Sequence, residues 1–188
     1  MRVCVFSASK EDLNPAYIDA ARTLGVLMAE RGWGLVFGGG MQGLMGHCAR
    51  AVHEGGGHVI GVIPERLNQP GIAYEAADEL IVTTTLRERK HEMDRLSDAF
   101  VALPGGFGTL EEAIETIALK QLGYHNRPIV FMNTNGFYDP LLEFFDHQVS
   151  ENFVRPEHLH LFAVADSAEC AVNRIAAYTP EPLPDKYA

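Results

Sequence analysis

Ala99-Phe-Val-Ala-Leu-Pro-Gly-Gly-Phe-Gly-Thr-Leu-Glu-Glu-Ala-Ile-Glu115 decides the fold. Ala99–Leu103 is a short apolar run, as expected of a buried strand. Pro104–Gly108 can neither continue a strand nor open a helix without strain, and its three glycines permit close backbone approach. From Thr109 the pattern turns helical, with Leu110, Ala113, Ile114 and Ile117 on one face. Strand, glycine loop and helix together aim free backbone N–H groups at an anion, and Glu112 sits one turn into the helix. Thr109-x-x-Glu112 also has the spacing of a capping box, in which hydroxyl and carboxylate satisfy helix-end donors. Both readings stand at this point.

Outward from this stretch, short apolar runs alternate with helical periodicity. Strands are expected at Val3–Phe6, Leu35–Phe37, His58–Ile63, Leu80–Val82, Pro128–Met132 and Leu161–Val164. Helices are expected at Pro15–Arg31, from a second glycine loop (Gly38–Gly46) to Glu54, at Thr84–Leu96, from Asp139, and at Ser167–Ala177. Leu67–Glu79 is polar and irregular and reads as a surface loop. Strands that are nearly all apolar imply a parallel sheet covered on both faces. The expected fold is α/β: a single-domain, Rossmann-like, doubly wound parallel sheet over residues 1–178, with a loose tail at 179–188. In such a sheet ligands bind beyond the strand C-termini. That rule gathers the loops Ser7–Lys10, Gly38–Gly43, Thr83–Arg89 and Pro104–Thr109.

Composition narrows the function. The 188 residues carry a formal charge of −10, which argues against a nucleic-acid surface. No apolar run is long enough to span a bilayer. Cys4, Cys48 and Cys170 are scattered, which argues for a reducing, cytoplasmic setting and against a disulfide framework or structural zinc. The histidines lack ligand spacing, so no metal and no cofactor is expected. The glycine loops are not the dinucleotide fingerprint, and the Walker lysine is missing. No Gly-x-Ser-x-Gly elbow occurs. Among the charges of the 84–96 helix, Arg89 and Met93 share a face. A helix beginning beside Pro104 lets the Arg89 guanidinium reach an anion seated there.

Pro104–Glu112 matches the PGGxGTxxE motif of the LOG (Lonely Guy) family of cytokinin-activating phosphoribohydrolases, once widely mislabelled lysine decarboxylases. Gly38–Gly46 resembles the family's GGGxxGLMG, and Arg89–Met93 its RKxxM. Gln121–His125 and Asn135–Leu142 resemble its later segments. The resemblance reaches to about Val154. It implies hydrolysis of the N-glycosidic bond of an N6-modified adenosine 5′-monophosphate, giving free base and ribose 5-phosphate, by a homodimer. It also implies site roles. Glu112 and Arg89 are the catalytic pair. Gly105, Gly106, Gly108 and Thr109 bind the phosphate. Gly39, Gly40, Gly43 and Ser9 lie along the phosphate and ribose. Lys90 and Met93 line the base pocket. A carboxylate beside a glycosidic bond suits an oxocarbenium-like transition state. Three positions depart from the family pattern: Ser7-Ala8-Ser9-Lys10 stands where Cys-Gly-Ser-Ser is frequent, Leu86-Arg87 where Met-His is frequent, and Leu119 where Trp is common. These bear on the choice of base. The alternative is a non-catalytic nucleotide- or molybdenum-cofactor-binding protein of the same fold; intact Arg89 and Glu112 favour the enzyme.

Overall fold

The apolar runs assemble into one seven-stranded sheet in a computed structural model that describes residues 1–182. The strands are β1 (Arg2–Phe6), β2 (Gly34–Phe37), β3 (Val59–Pro64), β4 (Glu79–Thr83), β5 (Ala99–Ala102), β6 (Ile129–Met132) and β7 (Ala163–Ala165). All pairings are parallel, in the order β4-β3-β2-β1-β5-β6-β7. The order reverses at β1, which pairs with both β2 and β5, so the switch point lies between β1 and β5.

Period-two alternation divides the strand side chains between two cores. Val3, Val5, Leu35, Phe37, Ala99 and Val101 pack on one side with α1 (Pro15–Glu30), α2 (Gly43–Glu54) and α6 (Ala168–Ala176). Cys4, Phe6, Val36, Phe100 and Ala102 pack on the other with α3 (Leu86–Arg95), α4 (Phe107–Gln121) and α5 (Asp139–Ser150). The sheet is thus covered on both faces by helices, in a Rossmann-like doubly wound fold.

Three local expectations are corrected. Helix α4 begins at Phe107, with Gly106 as its N-cap and no side-chain cap, so Thr109 and Glu112 form no capping box. The extended backbone of Gly106 sets the helix start two residues before the apolar periodicity does. The capping box lies instead on α3: Thr85 Oγ1 accepts from the Glu88 N–H at 3.1 Å, and Glu88 Oε2 accepts from the Thr85 N–H at 3.3 Å. Glu88 is therefore a capping group rather than one more solvated charge.

The segment 67–79 is not wholly a surface loop, since Ala73 and Tyr74 are buried. Met41 N–H donates to Ile72 C=O and Tyr74 N–H to Gly39 C=O, both at 2.8 Å, and Gly40 bridges Ala73 antiparallel. The last strand lies two residues beyond its expected start, because Pro156–Leu161 winds into a 3₁₀ turn. In the tail, Glu181 C=O accepts from Asn126 Nδ2 at 2.6 Å; residues 183–188 lie outside the described residues.

Candidate active site

Four loops converge on one cavity of about 510 Å³ at the switch point. Ser7, Ala8 and Ser9 enter from β1, Gly38, Gly40 and Gln42 from β2, Leu86 and Arg89 from α3, and Gly106–Thr109 and Glu112 from α4. The capping box fixes where α3 starts, and therefore how deep Arg89 sits one turn later. Leu110 is the first residue of α4 whose N–H closes a turn, onto Gly106 C=O at 3.0 Å. The amides of Phe107, Gly108 and Thr109 precede it at the helix N-terminus, where the dipole is positive.

Arg89 and Glu112 meet across the cavity floor. Arg89 Nη1 donates to Glu112 Oε1 at 2.5 Å, and Arg89 Nε donates to Val62 C=O at 3.0 Å. Both side chains are nearly buried, 12% and 11% exposed. Burial pushes the Glu112 carboxyl above its ordinary value and outweighs the opposing attraction of Arg89. Below the pair, Cys4 is fully buried and its thiol is pushed well up, chiefly by burial, so it is an inert floor and not a nucleophile.

The glycines divide by role. At Gly106 and Gly108 an added Cβ would meet nothing within 4 Å, so the chain's own packing does not demand glycine at either position. Inside a helix, glycine in place of alanine costs roughly 1 kcal/mol, and at Gly108 no contact within the chain offsets that. Gly105 makes room for Thr109, whose Oγ1 would lie 2.1 Å from a Gly105 Cβ. Thr109 itself is buried, its side chain packed against Gly105. Gly43 is left-handed (φ +58), with Lys10 C=O 2.6 Å from a would-be Cβ, and its N–H donates to Glu11 Oε1 at 3.1 Å. Gly39 packs on Ile63 and does not border the cavity, whereas Gly40 does.

Lys90 and Met93 lie apart from this cavity, bordering a second one of about 540 Å³ shared with Arg87, His91, Phe100, Glu111, Thr116 and Leu119. Glu112 borders both cavities. Lys90 is ion-paired to Glu111, and to Glu115 at 2.8 Å. Met93 is 1% exposed.

Other residues border the cavity that the sequence marks only as parts of loops or helices, Gly38 and Ser7 among them. A Cβ on Gly38 would stand 2.1 Å from Arg89 Nη2, so Gly38 is the floor on which the guanidinium rests. It was legible only as one of three consecutive glycines. Ser7 also borders the cavity, and no sequence pattern separates it from its neighbours.

Fold and site define a class: a Rossmann-like α/β protein whose switch-point cavity joins a helix N-terminus to a buried Arg–Glu pair. Residues 45–175 match a family model described as "Possible lysine decarboxylase", and the chain belongs to that family. Similar curated proteins carry a more specific name. One is the probable cytokinin riboside 5′-monophosphate phosphoribohydrolase LOGL9 of Oryza sativa subsp. japonica, 49% identical over 95% of this chain and 79% of the relative. Another is the cytokinin riboside 5′-monophosphate phosphoribohydrolase LOG5 of Arabidopsis thaliana, 46% identical over 95% of this chain and 78% of the relative. Among solved structures, the molybdenum cofactor carrier protein of Chlamydomonas reinhardtii superposes with a TM-score of 0.69 at 26% identity, covering 93% of this chain and 94% of that one. The molybdenum cofactor binding protein of Rippkaea orientalis, at 23% identity and a TM-score of 0.67 over 94% and 95% of the two chains, shares the fold.

Proposed function

We infer that this chain is a hydrolase of N-glycosyl bonds, a phosphoribohydrolase that converts an adenosine 5′-monophosphate, plain or N6-modified, to free base and ribose 5-phosphate. The observation that carries the reading is the buried Arg89–Glu112 pair beside a helix N-terminus in one cavity. The relatives named for this reaction, alike along 95% of the chain, support it.

The chemistry follows from the parts. The 5′-phosphate seats on the Phe107, Gly108 and Thr109 amides, where Gly106 and Gly108 present no side chain to block it. The seat fixes the ribose so that C1′ faces Glu112. As the bond to the base stretches, positive charge develops on the sugar, and the carboxylate stabilises it and orients the attacking water. Arg89 holds the carboxylate in place and offers its remaining N–H groups to the nucleotide. Glu112 must be ionised for this role. The departing base lies toward the second cavity, beside Met93 and Lys90.

Two further proposals complete the reading. The protein is a homodimer: Ile114, Leu122 and Tyr124 are exposed on and just after α4, at 39%, 44% and 76%, leaving apolar surface for a second copy. Its setting is the cytoplasm, in keeping with three free cysteines, two of them buried; among the described residues no helix is long and apolar enough to cross a membrane. The cofactor-carrier alternative draws on the 26% identical Chlamydomonas structure. The buried acid–guanidinium pair and the 46–49% identical relatives weigh for the enzyme. Incubation with AMP and N6-isopentenyl-AMP tests the function: free base and ribose 5-phosphate should accumulate in equal amounts. Intact nucleotide after prolonged incubation would overturn the reading.

A further inference from the structure

Ser7 follows β1 at the switch point. Its predecessor Phe6 accepts the Leu103 N–H at 2.9 Å, so Ser7 lies beside the chain where it leaves β5 for the α4 N-terminus. Ser7 is 9% exposed, and among the described residues its Oγ has no hydrogen-bond partner. Three other buried hydroxyls are satisfied locally. Ser97 Oγ donates to Met93 C=O at 2.6 Å, Thr116 Oγ1 to Glu112 C=O at 2.9 Å, and Thr83 Oγ1 to Thr85 C=O at 3.2 Å. Thr134 Oγ1 is unpartnered too, but it does not border the cavity. Ser7 does, together with Arg89, Glu112 and Gly106–Thr109.

An orphaned buried hydroxyl destabilises a fold, and alanine would avoid the penalty. Val3, Cys4, Val5 and Phe6 before it are all buried, so the environment itself favours an apolar residue. A polar group kept there against its own stability marks a contact that forms when the cavity fills. The cavity has an anion seat at the α4 N-terminus and a carboxylate at Glu112. The part of a nucleotide spanning those two points is the sugar. A serine hydroxyl both donates and accepts, as a sugar hydroxyl does.

We propose that Ser7 is a substrate-binding residue of this site, its enclosed Oγ turning about the Cα–Cβ bond to hydrogen-bond a ribose hydroxyl of the bound nucleoside monophosphate. The assignment rests on the phosphoribohydrolase reading above. It makes Ser7 a discriminator between ribose and deoxyribose, because a site built around a sugar hydroxyl rejects the analogue lacking it.

The test combines thermal melts with kinetics of wild type, Ser7→Ala and Ser7→Cys on AMP, 2′-deoxy-AMP and 3′-deoxy-AMP. Ser7→Ala should melt no lower than wild type, because it removes an orphaned group. It should lower kcat/KM for AMP at least tenfold, while leaving unchanged the rate on whichever deoxynucleotide lacks the partner hydroxyl. Ser7→Cys, nearly the same shape with a weak donor, should fall between. Unchanged kcat/KM for AMP in Ser7→Ala would overturn the proposal, as would an equal loss on all three nucleotides. Wild type judges the functional reading separately. If it releases no base from any nucleotide, that reading fails, and calorimetric titration with AMP decides Ser7 by itself. Tenfold weaker AMP binding by Ser7→Ala, with no change for one deoxynucleotide, upholds the contact; equal affinities, or no AMP binding by wild type, overturn it.

Discussion

Gly38→Ala is a single methyl group placed under the working end of Arg89. The φ of Gly38 lies outside the left-handed region, so alanine meets no left-handed backbone strain there. The new Cβ would lie 2.1 Å from Arg89 Nη2, and 3.3 Å from both Arg89 Cζ and Met45 Sδ. The guanidinium must therefore retreat by roughly 1 Å, since van der Waals contact requires more than about 3 Å. Its freedom is limited, because Nε is held by Val62 C=O and Nη1 by Glu112. The clash is with the far end of a flexible side chain, so the fold should absorb it and Tm should move by only a few degrees. Catalysis should not absorb it: a misplacement of about 1 Å in a reacting array costs on the order of 10²-fold, close to 2.7 kcal/mol of transition-state stabilisation. Initial rates of adenine release from AMP, measured at 25 °C beside a thermal melt, give both quantities. A folded Gly38→Ala protein with kcat/KM within threefold of wild type would refute the claim that Arg89 must sit where it does. If the guanidinium were free to move, the substitution would instead stabilise the protein by about 0.4–1 kcal/mol, the usual gain of Gly→Ala at a compatible position.

Three other predictions concern titration and charge. Glu112→Gln should lower kcat by at least roughly 10²-fold and leave nucleotide affinity within about tenfold, because it removes a charge needed chiefly in the transition state; near-normal turnover in the folded mutant would defeat the assignment. Because Glu112 acts ionised and burial raises its pKa, wild-type kcat/KM should fall as pH drops through a midpoint above the ordinary carboxylate value of 4.5, and a midpoint at or below that value would count against the buried pair. Lys120, 2% exposed, donates to Arg127 C=O at 3.0 Å and Tyr178 Oη at 2.9 Å, and burial lowers its pKa from 10.5 to about 8. Between those values the unfolded chain binds the extra proton, so stability should rise with pH from about 8 toward 10, by up to about 3 kcal/mol. Denaturant melts at pH 7.5 and 9.5 check this; the rise should vanish in Lys120→Met, and an unchanged slope would show that Lys120 is not its source.

The sheet was legible in the sequence because its strands read as short apolar runs, those of β1, β2, β3, β5 and β6 buried almost throughout between the two helix layers. Seven such runs, ordered by the chirality of their crossovers, suffice to place the site at the strand C-termini. Arg89 and Glu112 were legible because charged residues at those places in helices bordering a glycine loop point into it. What failed was local accounting near glycine. The start of α4 is set by the backbone of Gly106, which leaves no side-chain signature, and the Thr109–Glu112 spacing imitates a cap that the fold uses at Thr85–Glu88. The pairing of Gly39–Met41 with Ile72–Tyr74 joins a glycine loop to a polar stretch some thirty residues away, and neither has strand periodicity. Gly38, Gly40, Gly105 and Gly108 look alike in the sequence. Only the neighbours that a Cβ would meet separate a floor for Arg89 from room for Thr109 or an open seat at the helix end. Ser7 was legible only as part of the loop after β1, because a hydroxyl is conspicuous only once its missing partner is seen.

The measurement that tests the central claim most directly compares kcat/KM for AMP with that for adenosine, each followed by adenine release and ribose analysis. Three backbone amides precede the first closed turn of α4, and each hydrogen bond to a charged phosphate contributes roughly 1.5–3 kcal/mol. Allowing for non-additivity among neighbours, the monophosphate should be cleaved at least about a hundredfold more efficiently than the nucleoside, with ribose 5-phosphate formed in step with the base. Equal efficiency on the two substrates would contradict the account, because the α4 N-terminus would then be no phosphate seat and nothing would hold C1′ against Glu112.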